Sequence, residues 1–235
     1  MFRALEPAMC ARRLTGRPTL EDYLVARHRT LDEMLSDVID HQGVGQVLEL
    51  AAGLSPRGWR FTERYGESLT YLETDLGPMA SRKRAALELI GQRPSGHRVG
   101  ELDALRDGGS ASIAAVITEL DPERGLAVVS EGLLAYLSPS AVADLWGRLA
   151  RALRMFAAGH YLFDLGVGSA MTDTTARAFR HALGAFVRGR VYEHYPDAAA
   201  AIGALREAGF GEADLIRPDS SKPTRLPRLG HARVQ

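Results

Sequence analysis

Short apolar runs alternate with stretches of helical period along most of this chain, and that alternation leaves few folds open. Residues 47–50, 69–72, the neighbourhood of 97–99, 126–129, 161–163 and 214–216 are mostly apolar and of strand length. Between them, residues 80–90, 138–155, 172–187 and 197–208 repeat apolar positions at helical spacing, and Ser138 followed by Pro139 reads as a helix start. Strands that are apolar throughout are buried on both faces, which a parallel sheet with crossover helices achieves. The pattern predicts an α/β chain, with a doubly wound, mostly parallel sheet and helices on both faces.

A leading helix precedes the first strand. Thr19-Leu20-Glu21-Asp22 has the spacing of a capping box, and Leu31, Met34, Leu35 and Val38 continue a helical stripe, so the helix is predicted over residues 19–40. Gly43 and Gly45 then interrupt it. At the far end, residues 220–235 carry Pro223, Pro227 and several basic side chains without a clear period, and read as a final edge strand or a loose tail.

A length of 235 residues suits a single domain, 1–235, able to bury one shared core. Lys plus Arg and Asp plus Glu number 29 each, so no net field draws the chain to nucleic acid or to an anionic membrane, and neither is expected as a partner. Cys10 is the only cysteine, which excludes an internal disulfide and a cysteine-based metal site. With no apolar run of membrane-spanning length and no signal-like start, the expected location is cytoplasmic.

In an open parallel sheet a ligand lies beyond the carboxyl ends of the strands, so the residues just after each run are the candidates. After the first run comes Glu49-Leu50-Ala51-Ala52-Gly53, where small residues let the backbone approach a ligand and Gly53 can take a positive φ. The loop lacks the other glycines of G-x-G-x-x-G, so a pyrophosphate is poorly served. Glu73 and Asp75 follow the second run, where acidic groups can bind ribose hydroxyls. Glu131 ends the fourth among apolar neighbours and needs a donor or a cation, from the protein or from a ligand. Taken singly, each has a plainer reading: a tight turn, a solvated strand end, a capping or salt-bridging carboxylate.

Three segments together, 47–60, 71–76 and 130–137, resemble the leucine carboxyl methyltransferase family, including its bacterial branch of polyketide O-methyltransferases. Val47-Leu48-Glu49-Leu50-Ala51-Ala52-Gly53 through Arg57 is similar to the family's glycine loop with its following Arg, Glu73-Thr74-Asp75-Leu76 to its E-x-D motif, and Glu131-Gly132-Leu133-Leu134-Ala135-Tyr136-Leu137 to its E-G-L-L motif. The resemblance covers roughly residues 27–137. It implies a Rossmann-like class I methyltransferase fold using S-adenosylmethionine to methylate an oxygen, a carboxylate before a hydroxyl, on a small natural-product-like acceptor. It also assigns residues. Arg29 of the leading helix would hold the methionine carboxylate, as its forked guanidinium suits. Gly53 would lie under the methionine moiety, with Glu49 and Ala51 of the same loop also cofactor-binding, Asp75 and Glu73 at the ribose, Leu102 and Asp103 beside the adenine and Glu131 near the amino-acid end. Gly77, interrupting Asp75-Leu76-Pro78, and Ala135 depart from the family pattern.

The acceptor side is read from position alone. Residues 165–200 follow the fifth run, where this fold often covers its site; Tyr136, Arg188 and Tyr192 are the catalytic candidates. A phenol acceptor would benefit from a base, for which His160 and His194 stand nearest, whereas a carboxylic acid is already ionised at neutral pH. Two other readings compete: a nicotinamide-dependent oxidoreductase, which wants the missing glycines, and a cofactor-binding subunit without catalysis.

Overall fold

The computed structural model describes residues 20–167, 191–216 and 228–234. A leading helix α1 (Leu20–His41) is followed by β1 (Val44–Leu50), α2 (Arg57–Tyr65), β2 (Thr70–Asp75), α3 (Gly77–Glu88), β3 (His97–Glu101), the single turn α4 (Ile113–Val116), β4 (Gly125–Ser130), α5 (Pro139–Leu153), β5 (Gly159–Leu165), α6 (Ala198–Ala208), β6 (Glu212–Ile216) and β7 (Arg228–Arg233). The seven strands form one sheet in the order β3-β2-β1-β4-β5-β7-β6. Pairings from β3 through β5 are parallel, while β7 runs antiparallel to both β5 and β6.

Each face of the sheet carries its own core. On one side Leu31, Leu35 and Val38 of α1 and Phe61 of α2 meet Val47, Tyr71, Ala127, Val129 and Leu162. On the other, Leu145, Trp146 and Leu149 of α5 and Leu205 of α6 meet Leu48, Val128, Tyr161 and Phe163. Alternate residues of β1 and β4 thus feed opposite cores, the doubly covered arrangement that their continuous apolar runs require. Ser138 caps α5, accepting from the Ala141 amide, with Pro139 in the first turn. Asp197 caps α6 in the same way.

The chain end departs from expectation. Residues 228–233 form neither an edge nor a tail: β7 lies inside the sheet between β5 and β6, with Leu229 and Ala232 buried. A short polar strand can occupy this interior place because Gly230 lies against the ring of Phe163, where any Cβ would collide. The sequence also gave no notice of α2. The predicted helix over 172–187, Arg188 and most of the expected cover over 165–200 lie outside the described residues.

At the amino end of β5, His160 Nδ1 sits 3.0 Å from Nε2 of His231 on β7, and His160 is buried. This end lies opposite the strand termini where a ligand is expected, which removes His160 as a candidate base. Burial, with His231 and Arg233 adding to it, lowers the His160 pKa to about 4, and burial lowers that of His231 as well. Both folded values lie below the usual 6.5, so the unfolded chain takes up protons first. The stability these imidazoles contribute is full above about pH 6.5 and is lost as pH falls towards 4. Thermal midpoints measured between pH 7 and 4 should fall across that window, and less steeply in His160→Asn. An unchanged slope in that variant would remove the pair as the cause. Asp37, Asp214, Glu212 and Arg233 face the same pair and act on it in both proteins.

Candidate cofactor site at the strand ends

The strand order reverses between β1 and β4, and the carboxyl ends of these strands, with those of β2 and β5, build the site. Beyond β1 the chain turns through Ala51 at φ 52° and Gly53 at φ 53°. Nothing lies within 4 Å of where a Gly53 Cβ would be, so the loop opens onto free space. Asp75, at the end of β2, accepts from the Gly53 amide at 2.8 Å and from the Leu76 amide at 2.8 Å. The Ala52 amide donates to the Thr74 carbonyl, and Thr74 Oγ1 to that of Glu49. The loop is thus tied to β2 along one side.

Ala51 holds a left-handed conformation that costs an alanine roughly 1–2 kcal/mol. Its side chain is exposed and packs on little. Ala51→Gly should therefore raise unfolding stability by about 1 kcal/mol in a denaturant titration; a loss of stability would show that the turn is held there by something besides strain.

Glu49 and Glu73 are register partners on β1 and β2. Strand alternation turns both side chains towards the face covered by α1 and α2, and each is about 1% exposed or less. Glu49 accepts from Arg57 Nη1 at 2.6 Å and from the Tyr71 hydroxyl at 2.8 Å. Its pKa is raised by burial, against the pull of Arg57. Glu73 accepts from the Gly58 amide and pairs with His97 and Lys83. Burial raises its pKa, but His97 and Lys83 outweigh burial and leave it lowered. Both carboxylates expected at a ligand are thus spent on protein partners under the helices. Asp75 is the acidic residue of the E-x-D motif that reaches the strand end.

On the leading helix the two arginines are placed differently. Arg29 is exposed, while Arg27 lies over the strand ends, donating from Nε to Glu131 Oε1 at 2.9 Å and from Nη1 to Asp164 Oδ2 at 3.0 Å. At 3.6 residues per turn, two residues rotate a side chain by about 200°, so the two arginines point opposite ways. Arg27 continues the buried stripe of Leu31, Leu35 and Val38, and that spacing is the signal that distinguishes it.

Glu131 also meets His28 Nδ1 at 3.0 Å and Arg57 Nη2. Burial raises its pKa, but the His28 hydrogen bond and the charges of Arg57 and Arg27 outweigh that and lower it to about 2. Asp164, at the end of β5, accepts from the Gly132 amide at 2.6 Å. Arg57, Asp32, His28 and Asp164 were in view in the sequence but unassigned, because nothing local shows that distant carboxylates converge on one guanidinium.

Leu102 is buried, its amide donating to the Asp75 carbonyl, and Asp103 follows it just past β3, partly exposed. Exposed Leu54 and Leu76 stand beyond β1 and β2, beside Gly53 and Asp75. Tyr136 lies in the turn Leu134–Tyr136 after β4; burial raises its pKa, as does nearby Asp164, while Arg27 lowers it. The Tyr192 amide donates to the Ala135 carbonyl at 2.8 Å, which brings residues 191–195 to this turn. His194 meets the Leu137 carbonyl through Nε2.

This strand order, with one antiparallel strand inserted, and a glycine loop and acidic strand ends at the reversal point, define the Rossmann-like class I methyltransferase architecture. Residues 3–150 match the model of the leucine carboxyl methyltransferase family, and the chain belongs to that family. A Mycolicibacterium gilvum protein provisionally named S-adenosyl-L-methionine-dependent methyltransferase is 34% identical over 134 residues, 54% of this chain and 39% of the relative. A Mycolicibacterium smegmatis protein of the same name is 35% identical over 120 residues, 51% of this chain and 36% of its own length. The chain thus spans under half the length of these relatives. Among solved structures, a DUF574 family protein of Streptomyces avermitilis superposes with a TM-score of 0.66 at 17% identity, over 92% of this chain and 85% of its own. Human N-acetylserotonin methyltransferase, solved in complex with SAM, gives a TM-score of 0.56 at 12% identity, covering 95% of this chain and 61% of that one. Among the described residues no helix is long and apolar enough to cross a membrane.

Proposed function

We propose that this chain binds S-adenosylmethionine at the carboxyl ends of β1, β2, β4 and β5 and transfers its methyl group to an oxygen of a small acceptor, a carboxylate in the first instance. The observation that carries the reading is the convergence of three features a methionine nucleoside needs. The Gly53 turn faces open space, Asp75 stands beside it for the ribose hydroxyls, and Arg27 lies at the β4 and β5 ends for the amino-acid carboxylate. Leu54 and Leu76 offer apolar surface near the base, with Leu102 and Asp103 beyond β3.

When bound, the cofactor supplies a methyl group on a sulfonium, an excellent leaving group, for in-line displacement. The protein's part is then positioning and exclusion of water. Arg27 offers the amino-acid end a permanently charged group held in place by Glu131 and Asp164. Tyr136, near Asp164, and Tyr192, whose amide meets the same turn at Ala135, form the described part of the acceptor side; Arg188, outside the described residues, is the third candidate there. A carboxylate acceptor is ionised near neutral pH and asks for no base, and His194 already donates to a backbone carbonyl. The motifs' resemblance to the polyketide O-methyltransferase branch supports an acceptor of natural-product type. The whole chain acting as one catalytic domain in the cytoplasm belongs to the same reading.

Isothermal titration should show S-adenosylhomocysteine binding to the wild type and NADH giving no heat. NADH binding without S-adenosylhomocysteine would favour the oxidoreductase reading and overturn this one. Binding with no turnover on any carboxylic or phenolic acceptor would favour a non-catalytic subunit.

A further inference from the structure

We propose that Arg57 is a positioning residue, one that aims Arg27 at the cofactor through Glu131. Arg57 opens α2 and is wholly buried, an unusual place for a guanidinium. It donates to three carboxylates from three separate parts of the fold: Asp32 on α1 through Nε at 2.6 Å, Glu49 on β1 through Nη1 at 2.6 Å, and Glu131 after β4 through Nη2. The fork therefore ties the leading helix, the cofactor-loop strand and the β4 end to one planar group.

Such a cluster is poor value as stability alone, since well-packed apolar side chains often serve a fold as well as a buried ion network. Its geometry points elsewhere. Glu131 presents one oxygen to Arg57 and the other to Nε of Arg27, whose Nη1 meets Asp164. Charges alternate along the line Glu49, Arg57, Glu131, Arg27, Asp164, so each fixes the rotamer of the next. Arg27 is a long side chain on a helix that has just one flank against the sheet. With Arg57 in place, Glu131 has one orientation, and Arg27 is turned towards the strand ends. Without it, Glu131 keeps only Arg27 and His28, and α1 loses the Asp32 link, although Arg60 also reaches Asp32 from the exposed side.

The cofactor part of this inference rests on the methyltransferase reading; the docking of α1 does not. The test is a double-mutant cycle on S-adenosylhomocysteine affinity by calorimetry, with Arg57→Gln, Arg27→Ala and both together. Arg57→Gln should weaken binding by roughly tenfold, within the range for residues that modulate a site through a network. The double variant should be no more than about twofold weaker than Arg27→Ala alone, because the two lie on one line. Effects that multiply independently would overturn the proposal, as would Arg57→Gln binding like wild type. Arg57→Lys, which keeps the charge and loses the fork, should bind nearer to Arg57→Gln than to wild type.

A wild type that binds no S-adenosylhomocysteine would sink the methyltransferase reading, and hydrogen exchange then decides the rest. Arg57→Gln should speed exchange in residues 26–34 of α1 and leave α5 unchanged; unchanged protection in α1 would end the positioning role. Should Arg57→Gln fail to fold, Arg57→Lys carries both arms.

Discussion

Arg27→Ala is expected to weaken S-adenosylhomocysteine binding by about 1.5–3 kcal/mol, the range for a hydrogen bond to a charged group, which is roughly ten- to 150-fold. Arg29→Ala, two residues along the same helix, should leave affinity unchanged. The contrast comes from helix geometry. Arg27 shares the buried stripe of α1 and reaches Glu131 and Asp164, whereas Arg29 faces solvent on the other side. The alanine also takes from buried Asp164 the cation it pairs with, while Glu131 keeps Arg57 and His28, so the charge left on Asp164 adds to the loss. Calorimetry on the two variants decides the matter, and the reverse ranking would return the role to Arg29 and break the site as described.

Trp146→Ala should cost about 3–5 kcal/mol of unfolding free energy, the cost of emptying a buried aromatic site, and lower the thermal midpoint by roughly 10 °C in a domain of this size. Trp146 is fully buried on α5. Its ring stacks on Tyr195 at 5.6 Å between centroids and tilts against Phe163 at 5.8 Å. Phe163 belongs to β5 and Tyr195 to the segment that carries Tyr192, so one side chain joins a crossover helix, a central strand and the proposed acceptor side. The variant should therefore also lose acceptor turnover before it loses cofactor affinity. A melt within about 1 kcal/mol of wild type would mean that the neighbouring rings close over the gap.

Much of the architecture was legible because it is written in local periods. The runs of β1, β4 and β5 have no polar alternation, which only a sheet buried on both faces explains, and α5 announces itself through Ser138 and Pro139. The interior place of β7 was not legible. Its residues include Gly230 and His231 between two arginines, and what makes them a central strand is the ring of Phe163 some seventy positions away. At the site, the positions of Gly53 and Asp75 follow from strand ends that the sequence shows directly. Glu49 and Glu73 stand in motifs that point to a ligand, but strand alternation sends them under the helices, where Arg57, Lys83 and His97 meet them. The stripe of Leu31, Leu35 and Val38 runs through Arg27 and not Arg29, so helix period separates the two arginines where the motif alone does not.

The place of β7 also sets an order of events during synthesis. Among the described residues β6 pairs with β7 alone, and β5 pairs with β7 on its outer side, so neither ladder exists until residues 228–233 have left the ribosome. Until then a nascent chain displays the buried face and open edge of β5, with Phe163 and Leu165 on it, as a template for pairing with other chains. Emergence of residues 228–233 and closure of the sheet are thus one step, and a stop codon before Arg228 would leave a sticky half-sheet instead of a slightly shorter domain.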